Sequence, residues 1–424
     1  MRNKQIDFVS TLGYNRNMRQ DTFIYLSISA ALIFSALIPG MAYAKTAVTP
    51  APKPAPFEIS GWIPYWRMAT GTADALIHLD TFTEINPFGY TVARNGDLFD
   101  AMKVDSPSWQ ILMQAAHAKK IRVIPTVMWS NTEAIDTVLK SKKLRTAHIK
   151  QIVAAVKQNG FDGIDIDYEG KKAETKPYFS AFLRELYGVM GKKWVMCTIE
   201  SRTPLDSRFD VIPKDIAFAN DYVAINKYCD RVRIMAYDQQ SIDQRLNDLA
   251  PGPYVPVADP KWVEKVITLA AKTISKKKIV MGIPTYGYEY DVKPLLFGFR
   301  YDRLWAFNPR YALDLAATAG LTPQRNMAGE MSFSYLAASV GSAASALVAQ
   351  RDTTQSNNPE IATTSSSSQS DISTSGSPSF RVVWWSDAQA IKDKVDLAKK
   401  LGVRGVAIFK IDGGEDPNMW SVLK

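Results

Sequence analysis

Four acids stand within eight residues in the stretch "FDGIDIDYEG", Phe161 to Gly170. Asp162, Asp165, Asp167 and Glu169 are interleaved with Gly163, Ile164, Ile166 and Tyr168. Carboxylates this dense repel one another, so the segment suits a calcium loop, a solvated turn or an active site. "DIDYEG" (165–170) has the opening of a calcium loop, but the position that needs a bidentate Glu is Lys176. Read as a strand, the run sorts itself by parity, because successive side chains point to opposite faces. Asp165, Asp167 and Glu169 then share one face; Ile164, Ile166 and Tyr168 share the other. Asp162 has the opposite parity to the three acids and stands at the start, where anchoring the preceding turn suits it. Three carboxyls stacked in a low-dielectric interior cannot all ionise cheaply, so at least one pKa must rise. A carboxylic acid held protonated near neutrality is the group that protonation of a glycosidic oxygen requires.

The elements around this strand can be read from the rest of the chain. From Glu58 on, eight β-rich runs alternate with helical patterns. The runs are 58–66, 82–92, 121–129, 161–169, 193–201, 230–238, 278–288 and 403–411. Most carry apolar residues on both parities, as parallel strands covered on both faces do. Helical patterns stand at 106–120, which opens on Ser, 145–160, which closes on Gly, and 386–402, which does both; 176–193 and 259–273 are amphipathic. The pattern predicts a (β/α)8 TIM barrel of class α/β, with Glu169 at the carboxyl-end rim where barrel sites lie. A doubly wound sheet is the alternative, but no G-x-G-x-x-G loop follows the first run.

An α+β insertion at 289–386 separates the seventh and eighth strands. Its edges, "GEMSFSYLA" (329–337) and "FRVVWWSD" (380–387), read as paired strands. The Ser/Thr-rich stretch between them, 341–379, cannot bury a core and reads as a disordered tip. Residues 1–44 carry an apolar run at 23–40 and an "AYA" cleavage-like site at 42–44, as a signal peptide or an N-terminal anchor would. A Pro/Ala-rich linker, 45–57, joins this segment to the folded part at 58–424. The expected location is therefore outside the cytoplasm, with membrane contact only if the leader stays uncleaved.

Composition narrows the class further. A chain with 46% hydrophobic and 22% charged residues is globular. The net charge of +9 is scattered, which fits a solvated surface or a loose attraction to anionic envelope polymers. No nucleic-acid motif is present. Cys197 and Cys229 sit in or beside apolar runs and read as buried thiols. His78, His117 and His148 are far apart in sequence, and no metal or cofactor spacing exists.

The segment D-G-I-D-I-D-Y-E (162–169) resembles the D-G-x-D-x-D-x-E signature of glycoside hydrolase family 18, the chitinase-like enzymes. "RIMAYD" (233–238), "GIPTYGYEY" (282–290), "NPFGY" (86–90) and "WIPYW" (62–66) extend the resemblance across 58–424. It implies retaining hydrolysis of β-1,4 bonds next to N-acetylglucosamine, with the substrate's own acetamide assisting. Glu169 would be the acid and later the base, and Asp167 would orient the acetamide. Asp165 would sit beneath, sharing a proton with Asp167, and Tyr237 would bind the acetamide oxygen. Met235 and Asp238 would line the same subsite. Phe409 falls where the family usually has a Trp floor. Tyr65, Trp66, Phe88, Trp129 and Tyr286 are further candidate sugar contacts, with Trp384, Trp385 and Trp420 as additional stacking rings. The implied partner is an N-acetylglucosamine-containing polysaccharide, handled by a monomer without cofactor. Two rivals remain at this stage. One is a sugar-binding barrel without activity. The other is a different barrel glycosidase with Glu200 as nucleophile, although Glu200 and Arg202 read better as rim residues.

Overall fold

The computed structural model of the protein describes residues 56–336 and 379–423. The expected leader (1–44), nearly all of the linker and the Ser/Thr-rich stretch up to residue 378 lie outside the described residues. The apolar runs become parallel strands: β1 (Glu58–Pro64), β2 (Glu84–Val92), β3 (Thr126–Trp129), β4 (Gly163–Tyr168), β5 (Trp194–Glu200), β6 (Arg231–Met235) and β7 (Ile279–Pro284). Four further strands follow, β8 (Gly287–Pro294), β9 (Phe299–Phe307), β10 (Met331–Tyr335) and β11 (Phe380–Trp385), before β12 (Gly405–Phe409). Strands β1 to β7 pair in order, β12 pairs with β7 and with β1, and β1 pairs with β2. The eight-stranded parallel sheet is therefore closed, with helices between the strands, as a (β/α)8 barrel requires.

Local chemistry sets the ends of the elements. The helices at Pro260–Ala271 and Ala388–Leu401 start on Asp259 and Asp387, whose carboxylates accept from Lys261 N at 2.7 Å and Ala390 N at 3.0 Å. The second ends on Gly402 at φ +68°. Ser106 occupies the expected cap position of the helix Pro107–Ala118 but makes no capping bond; its hydroxyl meets the Met68 sulfur at 3.2 Å. The third apolar run is interrupted at Ile124–Pro125, where proline has no N–H to give a ladder.

The run 278–288, expected as one strand, is two. It leaves the barrel after Pro284, and from Gly287 it belongs to a second, antiparallel sheet of order β9, β8, β11, β10 and Gln324–Arg325. The expected pairing of 329–337 with 380–387 is present as β10 against β11. The buried Glu330 ties this insertion to the barrel. It accepts from Val257 N at 2.8 Å, Ala258 N at 3.0 Å and Trp384 Nε1 at 2.7 Å. Trp384 is thus held at the seam, edge-on to Tyr254 with centroids 6.1 Å apart, and Trp385 packs with Phe333 and Phe307 in the insertion's own core. Neither is available to stack on a sugar.

Two expectations need correction inside the barrel. Cys197 and Cys229 are not thiols but a disulfide. Strands β5 and β6 are neighbours, and Cys197 lies opposite Val232, so Cys229 at the entry to β6 comes to a Cα separation of 5.9 Å. The inward acids are also not left to repel. Arg233, fully buried on β6, pairs with Asp165 at 2.9 Å and with Glu84 on β2. Asp165 therefore faces a guanidinium. Removing one partner of a buried ion pair leaves the other uncompensated in low dielectric. Arg233→Met should destabilise the fold by about 3–5 kcal/mol, read as a lower denaturant midpoint; an unchanged midpoint would show that the acids do not need the cation.

Candidate active site

Strand β4 delivers its residues as alternation demands. Ile164, Ile166 and Tyr168 are buried against the helix layer, and Asp165 and Asp167 face the barrel interior. Asp165 is tied on every side. It accepts from Thr126 Oγ1 at 2.8 Å, Thr198 Oγ1 at 2.9 Å and Trp62 Nε1 at 3.2 Å, besides the ion pair with Arg233. Asp167 lies one step higher, buried at the floor of a cleft. Glu169 follows the strand's end, its N–H donating to Trp129 O at 2.9 Å, with its half-buried side chain in the cleft wall.

This cleft opens at the carboxyl end of the strands. It encloses about 830 Å³, counting its solvent-filled mouth. Its floor is aromatic. Phe409 lies nearly parallel to Tyr237, with centroids 5.6 Å apart at 15°, and meets the edge of Trp62 at 5.8 Å. A Cβ at position 282 would stand 2.8 Å from the Tyr237 ring and 2.6 Å from Ile234 O, so Gly282 is what leaves Tyr237 its place. Asp238, at φ +57°, accepts from the hydroxyls of Tyr286 at 2.6 Å and Tyr288 at 2.8 Å.

Charge in the cleft is set by burial and by neighbours. Desolvation pushes the Glu169 carboxyl up to about 7; the Glu200 and Asp238 carboxylates push the same way, and Lys171 opposes them. A carboxyl at that value is protonated in a large fraction at neutral pH. It can give a proton to a bound oxygen and take one back. Tyr286 and Tyr288 are raised well above the ordinary phenol value, first by burial and then by Asp238, so both remain O–H donors.

The sequence profile of Glycosyl hydrolases family 18 matches residues 62–414. The chain belongs to this family. It is 23% identical over 345 residues to the uncharacterized glycosylase YvbX of Bacillus subtilis (strain 168), covering 79% of this chain and 82% of that one. Its fold superposes on the spore cortex-lytic enzyme SleL of Bacillus cereus with a TM-score of 0.63 at 18% identity, over 87% of this chain and 73% of that one. The GH18 chitinase of Cycas revoluta, solved in complex with (GlcNAc)3, superposes with a TM-score of 0.60 at 13% identity, over 86% and 98%. The protein is a chitinase-like glycosidase.

Most candidates from the sequence meet in the glycosidase's cleft. Asp167, Glu169, Met235, Tyr237, Asp238, Tyr286, Phe409, Trp66 and Phe88 all line it. Others do not. Asp165 lies beneath the floor. Trp129 belongs to the helix side of β3, edge-on to Tyr168 at 5.4 Å, and is buried there. Tyr65 stands beside Trp66, edge-on at 4.9 Å, outside the lining. Trp420 stacks on His78 at 4.1 Å in the outer layer. Sequence reasoning missed Trp62, Thr198, Tyr288, Ala306 and Lys410. Parity could have found three of them: Trp62 shares a face of β1 with Ser60, Thr198 sits level with Asp167, and Tyr288 repeats the Tyr286 face. Ala306 and Lys410 come from the insertion and from beyond β12, where parity gives no guide.

Asp162 is the acid that stays out. Its Oδ2 accepts from Val123 N at 2.8 Å and lies 3.3 Å from His117 Nε2, tying β4 to the start of the preceding strand. Asp162→Ala should lower stability by about 1–2 kcal/mol in a denaturant titration while leaving kcat/KM within a few-fold of wild type. A large loss of turnover at unchanged stability would put Asp162 into the chemistry.

Proposed function

We propose that the enzyme is a retaining hydrolase of β-1,4 bonds next to N-acetylglucosamine, in chitin-like oligomers or peptidoglycan glycan, working by substrate assistance. One observation carries the reading: a carboxyl raised to about 7, Glu169, stands directly above a buried carboxylate, Asp167, beside an aromatic floor. In the first step Glu169 gives its proton to the glycosidic oxygen. The acetamide oxygen of the sugar attacks the anomeric carbon, and the leaving sugar departs as an alcohol. Asp167 receives the acetamide N–H and stabilises the positive charge of the oxazolinium ion. Glu169, now a carboxylate, takes a proton from water, which opens the ring with overall retention. Tyr237 would hold the acetamide oxygen, and Phe409 with Trp62 would carry the sugar's apolar face.

An exported location is part of the same proposal. The Cys197–Cys229 disulfide supports an oxidising compartment, and the apolar run at 23–40 supports a leader that delivers the chain there. A glycan-cleaving enzyme outside the cytoplasm would meet peptidoglycan or chitin directly.

Glu169→Gln should reduce kcat on chitooligosaccharides or purified peptidoglycan by at least about a hundredfold while sugar binding persists; substantial turnover would remove Glu169 from the acid role. In the wild type, kcat/KM should fall above pH ~7 as Glu169 loses the proton it must donate, about tenfold per pH unit. A thiazoline of N-acetylglucosamine, which mimics the cyclised intermediate, should inhibit competitively, and indifference to it would count against substrate assistance.

A further inference from the structure

Glu200 ends β5 beside Glu169, and its carboxylate is engaged on both oxygens. Oε1 accepts the N–H of Gly170 at 3.0 Å. Oε2 accepts from Asn220 Nδ2 at 2.6 Å and lies 3.6 Å from Lys171 Nζ. The Lys171 side chain is buried, and its ammonium also donates to Tyr168 O. Gly170 adopts φ +62°, a conformation that favours glycine. The turn that follows Glu169 is therefore fastened to the neighbouring strand end by one carboxylate and one ammonium, through residues 168, 170 and 171.

Lys171 has two acids within its electrostatic reach, Glu169 and Glu200. Burial pushes Glu200 up, but Lys171, Asn220 and the Gly170 N–H outweigh it, and the carboxyl is held below the usual range. Glu200 thus keeps the anion and takes the ammonium. Were Glu200 neutral, Lys171 would have Glu169 as its nearest acid and would hold that carboxyl ionised, the wrong state for giving a proton.

We propose that Glu200 and Lys171 are positioning residues for Glu169: they fix the turn behind it, and the Glu200 anion offsets the lysine charge at the reacting carboxyl. The proposal rests on the reading of Glu169 as the acid. The charged groups that meet Glu169 are Glu200 from β5, Lys171 from its own turn and Asp238 from the end of β6, with Asp167 below it on β4. Lys410, beyond β12, lines the same cleft but is held by Asp412 and by Asn308 Oδ1 at 3.0 Å.

The test is the pH profile of kcat/KM on a chitooligosaccharide for wild type, E200Q and K171M, with E169Q as reference. Glutamine keeps an acceptor for Gly170 N, and Asn220 can turn its amide to meet the new NH2, so E200Q alters charge more than shape. E200Q should move the alkaline limb to lower pH, on the order of one pH unit, with activity recovering toward wild type in acid. K171M should move the limb the opposite way. A purely structural role would lower activity equally at every pH. Unmoved limbs in folded E200Q and K171M, with E169Q inactive, overturn the inference and leave the acid assignment standing; turnover by E169Q overturns both. If K171M does not fold, the direction of the E200Q displacement decides alone.

Discussion

The ion pair of Arg233 with Asp165 and Glu84 is the constraint on which the barrel interior depends. A buried row of carboxyls is tolerable only if cations alternate with it. The barrel does this along its axis. At the amino ends of the strands, burial pushes Glu58 up, but the Arg231 and Arg404 guanidiniums beside it hold it down at about 2. Next comes Glu84, which also accepts from Arg122 Nε at 3.0 Å and Asn86 Nδ2 at 2.9 Å. Arg233 follows, then Asp165. Cations thereby alternate with the acids below the cleft, and Arg233 stands between Glu84 and Asp165. What is left at the top, Asp167 and Glu169, is free of the demand to neutralise the interior, so burial and the rim residues govern Glu169.

The fold was largely legible because its signals are periodic. Apolar residues on both parities marked the barrel strands, and the odd parity of three acids in one of them gave the site's orientation. The same test, applied to β3, would have put Trp129 with Val127 on the helix side and removed it from the sugar contacts. Arg233 was equally readable as a charge that shares a face of β6 with Arg231 and Met235. What could not be read depended on pairing between distant segments. The disulfide needs the register of β5 against β6, since 32 residues separate its cysteines. The departure of the chain from the barrel at Pro284 is hidden in a continuous β-rich run, because β7 and β8 follow one another directly and take different partners.

The site's polar rim was harder to read than its floor for a related reason. Glu200 ends β5, and Lys171 and Asp238 lie beyond strand ends, where alternation stops and turn geometry takes over. Gly170 at φ +62° and Asp238 at φ +57° are what aim these groups, and neither angle is encoded in a spacing. Asp238 is instead located by the two phenols that donate to it, which arrive from the second sheet and its junction with the barrel. The insertion is thus part of the site: Tyr288 and Ala306 come from it, and Glu330 anchors it to the barrel by accepting two backbone N–H groups.

Phe409 shows how the floor and the buried ion pair are linked. A phenyl ring in place of an indole offers less area and no N–H donor. Here Trp62 from β1 meets Phe409 edge-on and supplies aromatic surface from the opposite side of the strand junction. The one N–H of Trp62 is already committed, shared between Thr126 Oγ1 at 3.1 Å and Asp165 Oδ2 at 3.2 Å. Arg233 lies 5.6 Å from the centre of the same indole ring, so the group that balances the acids also seats the floor. The floor therefore offers apolar faces without an N–H donor. Polar groups stand around it at the rim: Asp238 with its two phenols, Lys410 and Glu169. Those are the groups whose positions depend on the turns and the insertion, not on the barrel itself.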